Sequence, residues 1–107
     1  STGSPEYNER QAQIFLAAML AKAGLKDSAR AVAQRARPSI DVDPTRDLAY
    51  PEAFVLALAG DKAGAIAALK TYLAANPDKA EGLANDPGWW FRDLANDPDF
   101  KTAVGAR

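Results

Sequence analysis

Apolar positions along this chain fall into four stripes at helical spacing, divided by glycine, proline or polar breaks, and then into shorter clusters. Ser4 followed by Pro5-Glu6 reads as a helix start, with serine as cap and proline in the first turn. Ile14, Phe15, Ala18, Met19 and Ala21 to Ala23 then recur at helical spacing, which predicts a helix over 5–23 closed by Gly24. Leu25, Lys26 and Asp27 form the turn, with Asp27 as the candidate cap of a second helix carrying Ala29, Val32, Ala33 and Ala36. Pro38 stops that helix. Residues 38–49 hold two prolines and three aspartates with little period, so they read as a loop with room for a helical turn at Asp43-Pro44. Tyr50-Pro51-Glu52 opens a third helix through Phe54, Val55, Leu56 and Leu58 to Gly60. A fourth starts near Lys62, shows Ala65, Ile66, Leu69, Tyr72 and Leu73, and ends at Asn76-Pro77. Gly64 in its first turn costs about 1 kcal/mol relative to alanine, which predicts close packing there.

The stripes repeat. Ala21 to Ala31 returns 36 residues later as Ala57 to Ala67, each copy with an Ala-rich run, a glycine, a short polar step and an alanine five residues past the glycine. A period of that length predicts stacked helical hairpins, a design that holds a partner more often than it transforms one. The tail carries a second echo, because Leu83-Ala84-Asn85-Asp86-Pro87 recurs as Leu94-Ala95-Asn96-Asp97-Pro98. Each Asp-Pro reads as a cap and first helical residue, predicting two brief helices over 87–95 and 98–105. Phe91, Leu94 and Phe100 are their candidate anchors on the preceding hairpin.

Composition narrows the function classes. The 107 residues suffice for one small domain, and alanine-dominated apolar content favours closely packed helices. A net charge of −1 offers no global field for nucleic acid or anionic lipid. With no cysteine and no histidine, thiol catalysis, imidazole acid–base chemistry and most zinc sites drop out. No stretch approaches the length of a membrane span, so direct membrane insertion is not expected. Lack of cysteine suits a reducing compartment and also a disulfide-free periplasmic domain; a soluble, cytoplasmic setting is favoured. Residues 1–4 read as a linker or expression remnant, and 5–107 as one helical domain.

These residues resemble a tetratricopeptide repeat (TPR), which pairs two antiparallel helices with small residues at their crossing and a closing proline. Repeat two, about 46–77, carries Gly60-Asp61 at the turn, Ala65 at the crossing, Leu69 and Leu73 on the inner face, and Pro77 at the end. Repeat one, about 10–41, keeps Leu16, Ala17, Leu20, Gly24, Ala29, Ala33 and Ala36. It has Asp41 where the closing proline belongs, and a longer linker follows it. Gln13 and Ala49 occupy the place of the aromatic that often opens the first helix of such a repeat. Phe91-Arg92-Asp93-Leu94 through Asp97-Pro98-Asp99-Phe100 resembles the segment that closes such arrays at the C-terminal ends of bacterial multidomain regulators, kinases and cyclases. The resemblance implies an all-α fold of two TPR-like hairpins, a fragment of a right-handed superhelix, capped by the tail over about 78–107.

It also implies a partner along the first helix of each repeat, on Gln11, Ile14, Ala18, Ala21 and Lys22, then Asp47, Tyr50, Phe54, Ala57 and Leu58. Tyr50 and Phe54 are four apart, so they share a helical face and suit either a peptide wall or packing under the tail. In Trp89-Trp90-Phe91, successive helical residues point about 100° apart, which leaves Trp89 nearest the edge. Trp89 is thus either a binding hot spot or a side chain lying flat on the end of the fourth helix. Lys26, Arg30 and Arg37 on one side of the second helix read first as a solvated flank over small apolar residues. Asp41, Asp43 and Asp47 lack the glycine and terminal glutamate of a calcium loop and read as turn and cap residues.

No nucleophile–base pair or phosphate loop is visible, so neither a cofactor nor catalysis is expected. The expected function is a non-enzymatic module binding a protein or peptide, or another domain of its own parent chain, with no nucleic-acid role. The alternative is a regulatory or sensory end domain that binds a small ligand or forms a homodimer.

Overall fold

The computed structural model describes residues 4–105 and is all-α over that span. The linker reading of residues 1–3 and the last two residues of the expected tail lie outside the described residues. Four main helices form two antiparallel hairpins: α1 (Pro5–Lys22) with α2 (Lys26–Ala36), and α3 (Ala49–Leu58) with α4 (Lys62–Ala75). A short tail follows, with a 3-10 turn at Pro77–Lys79, α5 (Ala80–Asn85), a 3-10 helix over Trp89–Leu94 and α6 (Pro98–Ala103).

The 36-residue echo has a structural meaning down to single hydrogen bonds. Gly24 and Gly60 both adopt the left-handed conformation, at φ +87° and +78°, which a residue without Cβ takes at least cost. Past the first glycine, the Leu25 amide reaches back to the Leu20 carbonyl at 2.9 Å. Past the second, Asp61 reaches Leu56 at 2.8 Å. Both turns therefore end their helices with the same glycine-closed cap, which satisfies carbonyls the helix leaves open. Each second helix then crosses its partner at an alanine, Ala29 or Ala65, with no exposed surface.

The two copies start their second helices differently. Asp61 caps α4 by accepting from the Gly64 amide at 2.9 Å, and a Cβ at Gly64 would collide with that carboxylate. Close packing at Gly64 is thus packing against its own cap. The expected Asp27 cap is not found: Leu25 stands at the cap position without a side-chain bond. Asp27 lies inside the first turn and pairs with Arg30. Its position within the helix turns its carboxylate to Arg30 instead of the open amides.

Two buried clusters flank α3. Ile14, Ala17, Ala21, Ala29, Ala33 and Ala36 meet Leu48 and Val55 on one side. Ala53 and Leu56 meet Ile66, Leu69, Leu73 and the tail anchors Leu83, Phe91, Leu94 and Phe100 on the other. Helix α3 thus packs on α1, α2, α4 and the Trp89–Leu94 segment. The entry to α3 is held by Asp43, a buried carboxylate accepting from the amides of Asp47 at 3.0 Å and Leu48 at 2.8 Å. Asp43 thus ties the turn ahead of α3, as its loop position suggested, while α3 itself starts from Leu48 without a side-chain cap.

The tail departs from its duplication. Asp97-Pro98 does start a helix, with Asp97 accepting from the Asp99 amide at 2.8 Å. Asp86-Pro87 does not. Asp86 instead accepts from the Gly88 amide at 3.2 Å, Gly88 turns at φ +86°, and the chain enters a 3-10 helix two residues late. The Trp90 ring lies so close to Gly88 that a Cβ there would sit 2.8 Å from it, which forces the sharper turn. Helix α5 was not expected from the sequence: six residues are too few to show a period, and Leu83 is its one buried anchor.

Arg37 at the end of α2 spans the hairpin junction to Glu52 of α3, its Nε–H donating to the Glu52 carboxylate at 3.0 Å. Glu52 is buried while Arg37 remains 57% exposed along its side chain. The hydrogen bond to Glu52 holds the Arg37 guanidinium above its ordinary range, against the opposing effect of burial. Removing the arginine would strand a buried carboxylate, which for fully buried pairs costs roughly 3–5 kcal/mol. Because Arg37 itself is half in water, Arg37→Ala is expected to lower the unfolding free energy by about 2 kcal/mol in a urea titration. Adding Glu52→Gln to that variant should restore part of the loss.

Candidate functional site

The site is built where the tail folds back over α3. Tyr50 and Phe54 stand one turn apart on the α3 face that neither hairpin interface fully covers, and both are half-buried. The Trp89–Leu94 segment lies across this face and plants Phe91 and Leu94 in the core below it. Trp90 Nε1–H donates to the Tyr50 hydroxyl at 3.0 Å, tying the segment to α3 forty residues away in sequence. Rings then continue outward. Tyr50 packs edge-on to Phe91 at 5.8 Å and beside Tyr72 at 5.3 Å between centroids. Phe54 meets Trp89 at 6.0 Å, and Trp89 meets Trp90 at 5.4 Å, both nearly perpendicular. Edge-to-face pairs of this kind contribute about 0.5–1.5 kcal/mol each beyond area burial.

The result is a shallow cleft lined by Tyr50, Pro51, Phe54, Trp89 and Trp90. Beyond the two tryptophans a second cleft continues, lined by Ala57, Leu58, Gly60, Lys62, Asp93 and Leu94. The two clefts share both tryptophans and follow α3 and its closing turn from Pro51 to Gly60, about 14 Å at the helical rise, a groove that suits about four residues of extended chain. Trp89 is the most open of its aromatic rings, at 60% exposure. It does not lie flat on the end of α4: its ring stands on Phe54 of α3, because the left-handed turn at Gly88 brings the segment across the first helix of the hairpin.

The other candidates scatter. Ile14 is 1% exposed and belongs to the first core; it has no surface to offer, because its face of α1 is the one that meets α2. Leu58 is half-buried against the first core and still borders the groove. Gln11 is half-buried and Lys22 exposed on α1, and neither lines the groove. The structure brings Tyr50, Phe54, Leu58 and Trp89 together and leaves Gln11, Ile14 and Lys22 apart. Trp90 and Pro51 are additional lining residues; the position of Pro51, three before Phe54, was the available signal.

A second, more polar cavity lies between the α2 end, the loop and α4, with Arg37, Asp43, Arg46 and Glu52 in its walls. Its charged groups are engaged with one another and the backbone: Arg37 with Glu52, Asp43 with two amides, and Arg46 with the Pro38 carbonyl at 3.3 Å. Among the described residues no group of acids, histidines or cysteines is arranged to hold a metal ion, and Asp41 lies exposed and away from the amide-bound Asp43. No described helix is long and apolar enough to cross a membrane.

Comparison with protein-family models, with curated proteins and with solved structures found no match.

Beside Tyr50, burial raises the Tyr72 hydroxyl above the ordinary tyrosine value of 10.0, reinforced by the charge of Asp47 and then by Tyr50 and Asp78. The raised value means that the unfolded chain loses this proton first. The stabilisation is full below pH of about 10 and is lost as pH rises through the folded value. In an alkaline titration followed by tyrosinate absorbance, Tyr72→Phe should remove the late-ionising component and flatten the fall of stability above pH of about 10.

Proposed function

We propose that the chain is a non-enzymatic, TPR-like module that binds an extended protein or peptide segment in the α3–Trp89 groove, as part of a larger regulatory protein. The observation that carries this reading is Trp89: a large apolar ring, mostly exposed, held in a fixed pose by Phe54 and Trp90 at the mouth of an aromatic cleft. Rigid aromatic rings at the centre of a concave patch supply contact area at little entropic cost, and such residues dominate interface energetics. The Tyr50 hydroxyl adds direction. It accepts from Trp90, and its own proton is then available to a peptide carbonyl.

The twofold hairpin pattern, the alanine crossings and the closing Phe-to-Phe segment support the TPR-like reading and, with it, a role in holding a partner. Lys62 and Asp93 stand together in the outer cleft and can read one polar or charged side chain of the bound segment. A partner that is another domain of the same parent chain would use the same groove.

Selection of peptides from a displayed random library against the immobilised chain tests this directly. Peptides selected on the native chain should bind the Trp89→Ala variant at least tenfold more weakly, the loss of one hot-spot side chain at about 2 kcal/mol. The two ring pairs of Trp89, at about 0.5–1.5 kcal/mol each, go with it, so the melting temperature should fall, and binding is compared well below the transition, where both chains are folded. Selection that yields no binder, or binders indifferent to Trp89→Ala and Phe54→Ala alike, would remove the groove as the binding site.

A further inference from the structure

The 36-residue echo identifies a second surface, on a different face of α1. Along α3, Leu48 just before the helix, Glu52, Val55 and the following Ala59 form one stripe, and all four are buried. Leu48 and Val55 pack into the first hairpin's core, and Glu52 binds Arg37 of α2. Shifted back by the repeat, the same stripe on α1 is Ala12, Leu16, Met19 and Ala23. All four are exposed, Leu16 at 49% and Met19 at 68%, with Phe15 beside them also open. The rest of the two helices corresponds: Ala17 and Ala53 are both sealed, and Ala21 is buried where Ala57 is half-buried. The same helical face is apolar in both copies except at Glu52, the counterpart of Leu16, and is covered in only one.

We infer that this α1 face is a docking surface for one further helical hairpin of the α1–α2 kind, joined in register ahead of Pro5. The occupant follows from continuity with an established interface. What covers the stripe on α3 is the edge of the preceding hairpin, to which both α1 and α2 contribute, with Leu48 and Val55 sharing a core with Ile14, Ala17, Ala29 and Ala33. The stripe on α1 repeats that geometry and would accept the same kind of edge. A second copy of this chain cannot supply that edge head to tail. Its α1–α2 edge is already occupied by α3, and the far side of its α3–α4 hairpin is covered by the Trp89–Leu94 segment and α6. An apolar stripe left open at one end of a stack, with the other end closed by a tail, is how an internal repeat looks when its neighbour is missing.

Met19 is the chain's single methionine and lies in the middle of the stripe, so its oxidation by peroxide reports cover directly. The experiment fuses a second copy of residues 5–40 ahead of Pro5, which restores the repeat spacing, with leucine in place of the methionine inside the copy. The expected result is one melting transition at a higher temperature than the unfused chain, and Met19 oxidation slowed roughly tenfold. Ala12→Glu, at the counterpart of buried Leu48, should leave the unfused chain's melting temperature within about 3 °C, since the position is exposed, but should restore fast oxidation in the fused chain. Added helices that stay unfolded, unslowed oxidation, or protection that survives Ala12→Glu would each overturn the assignment. Met19 protection that grows with concentration in the unfused chain would overturn it too, in favour of a second copy as occupant.

Discussion

Everything in this structure leans on α3, a ten-residue helix that must be buried on two opposite sides at once. Val55 faces the alanine-lined first hairpin, and Ala53 and Leu56 face α4 and the tail anchors. A helix with two covered sides cannot carry the usual polar half, and α3 accordingly holds a single charged residue, Glu52, which is neutralised by Arg37. The strip that remains between the two covered sides is aromatic: Tyr50 and Phe54. The groove is therefore a by-product of the stacking constraint, finished by the tail when Trp89 and Trp90 fold over that strip.

Much of this was legible in the chain because it depends on local chemistry repeated at a fixed spacing. Gly24 and Gly60 announced left-handed helix ends, Ala29 and Ala65 announced close crossings, and Asp97-Pro98 announced a capped helix start. These features need only a few neighbouring residues to be decided. The parts that were not legible depend on contacts between distant segments. Asp86-Pro87 has the same letters as Asp97-Pro98, yet the docking of Trp90 against Gly88 overrides the local preference. Asp27 had a capping residue's chemistry but fell two residues inside the helix, where Arg30 takes its charge.

The site divides along the same line. Helical spacing placed Tyr50 with Phe54, and Trp89 at an edge, because angular separation along one helix is a local property. On α1 the family resemblance placed Ile14 on a binding surface, whereas it belongs to the core shared with the alanine stripe of α2, a tertiary fact that position in a repeat does not settle. Nor could spacing tell that the Trp90 indole would reach the Tyr50 hydroxyl across most of the second hairpin and the tail. The Arg37–Glu52 bridge was hidden for the same reason. Arg37 read as part of a solvated flank and Glu52 as part of a helix start, and neither reading involves the other helix.

If α3 is the wall shared by both cores, the two hairpins cannot melt independently, and the groove persists only while both are folded. Native-state hydrogen exchange resolved by residue measures this most directly. The account predicts that amides from Val55 to Leu58 are the slowest in the chain and exchange only through global unfolding, with the inner turns of α1, α2 and α4 close behind. An α3 that exchanges through its own partial opening, while α1 and α2 remain more strongly protected than it, would contradict the shared wall and with it the origin proposed for the groove.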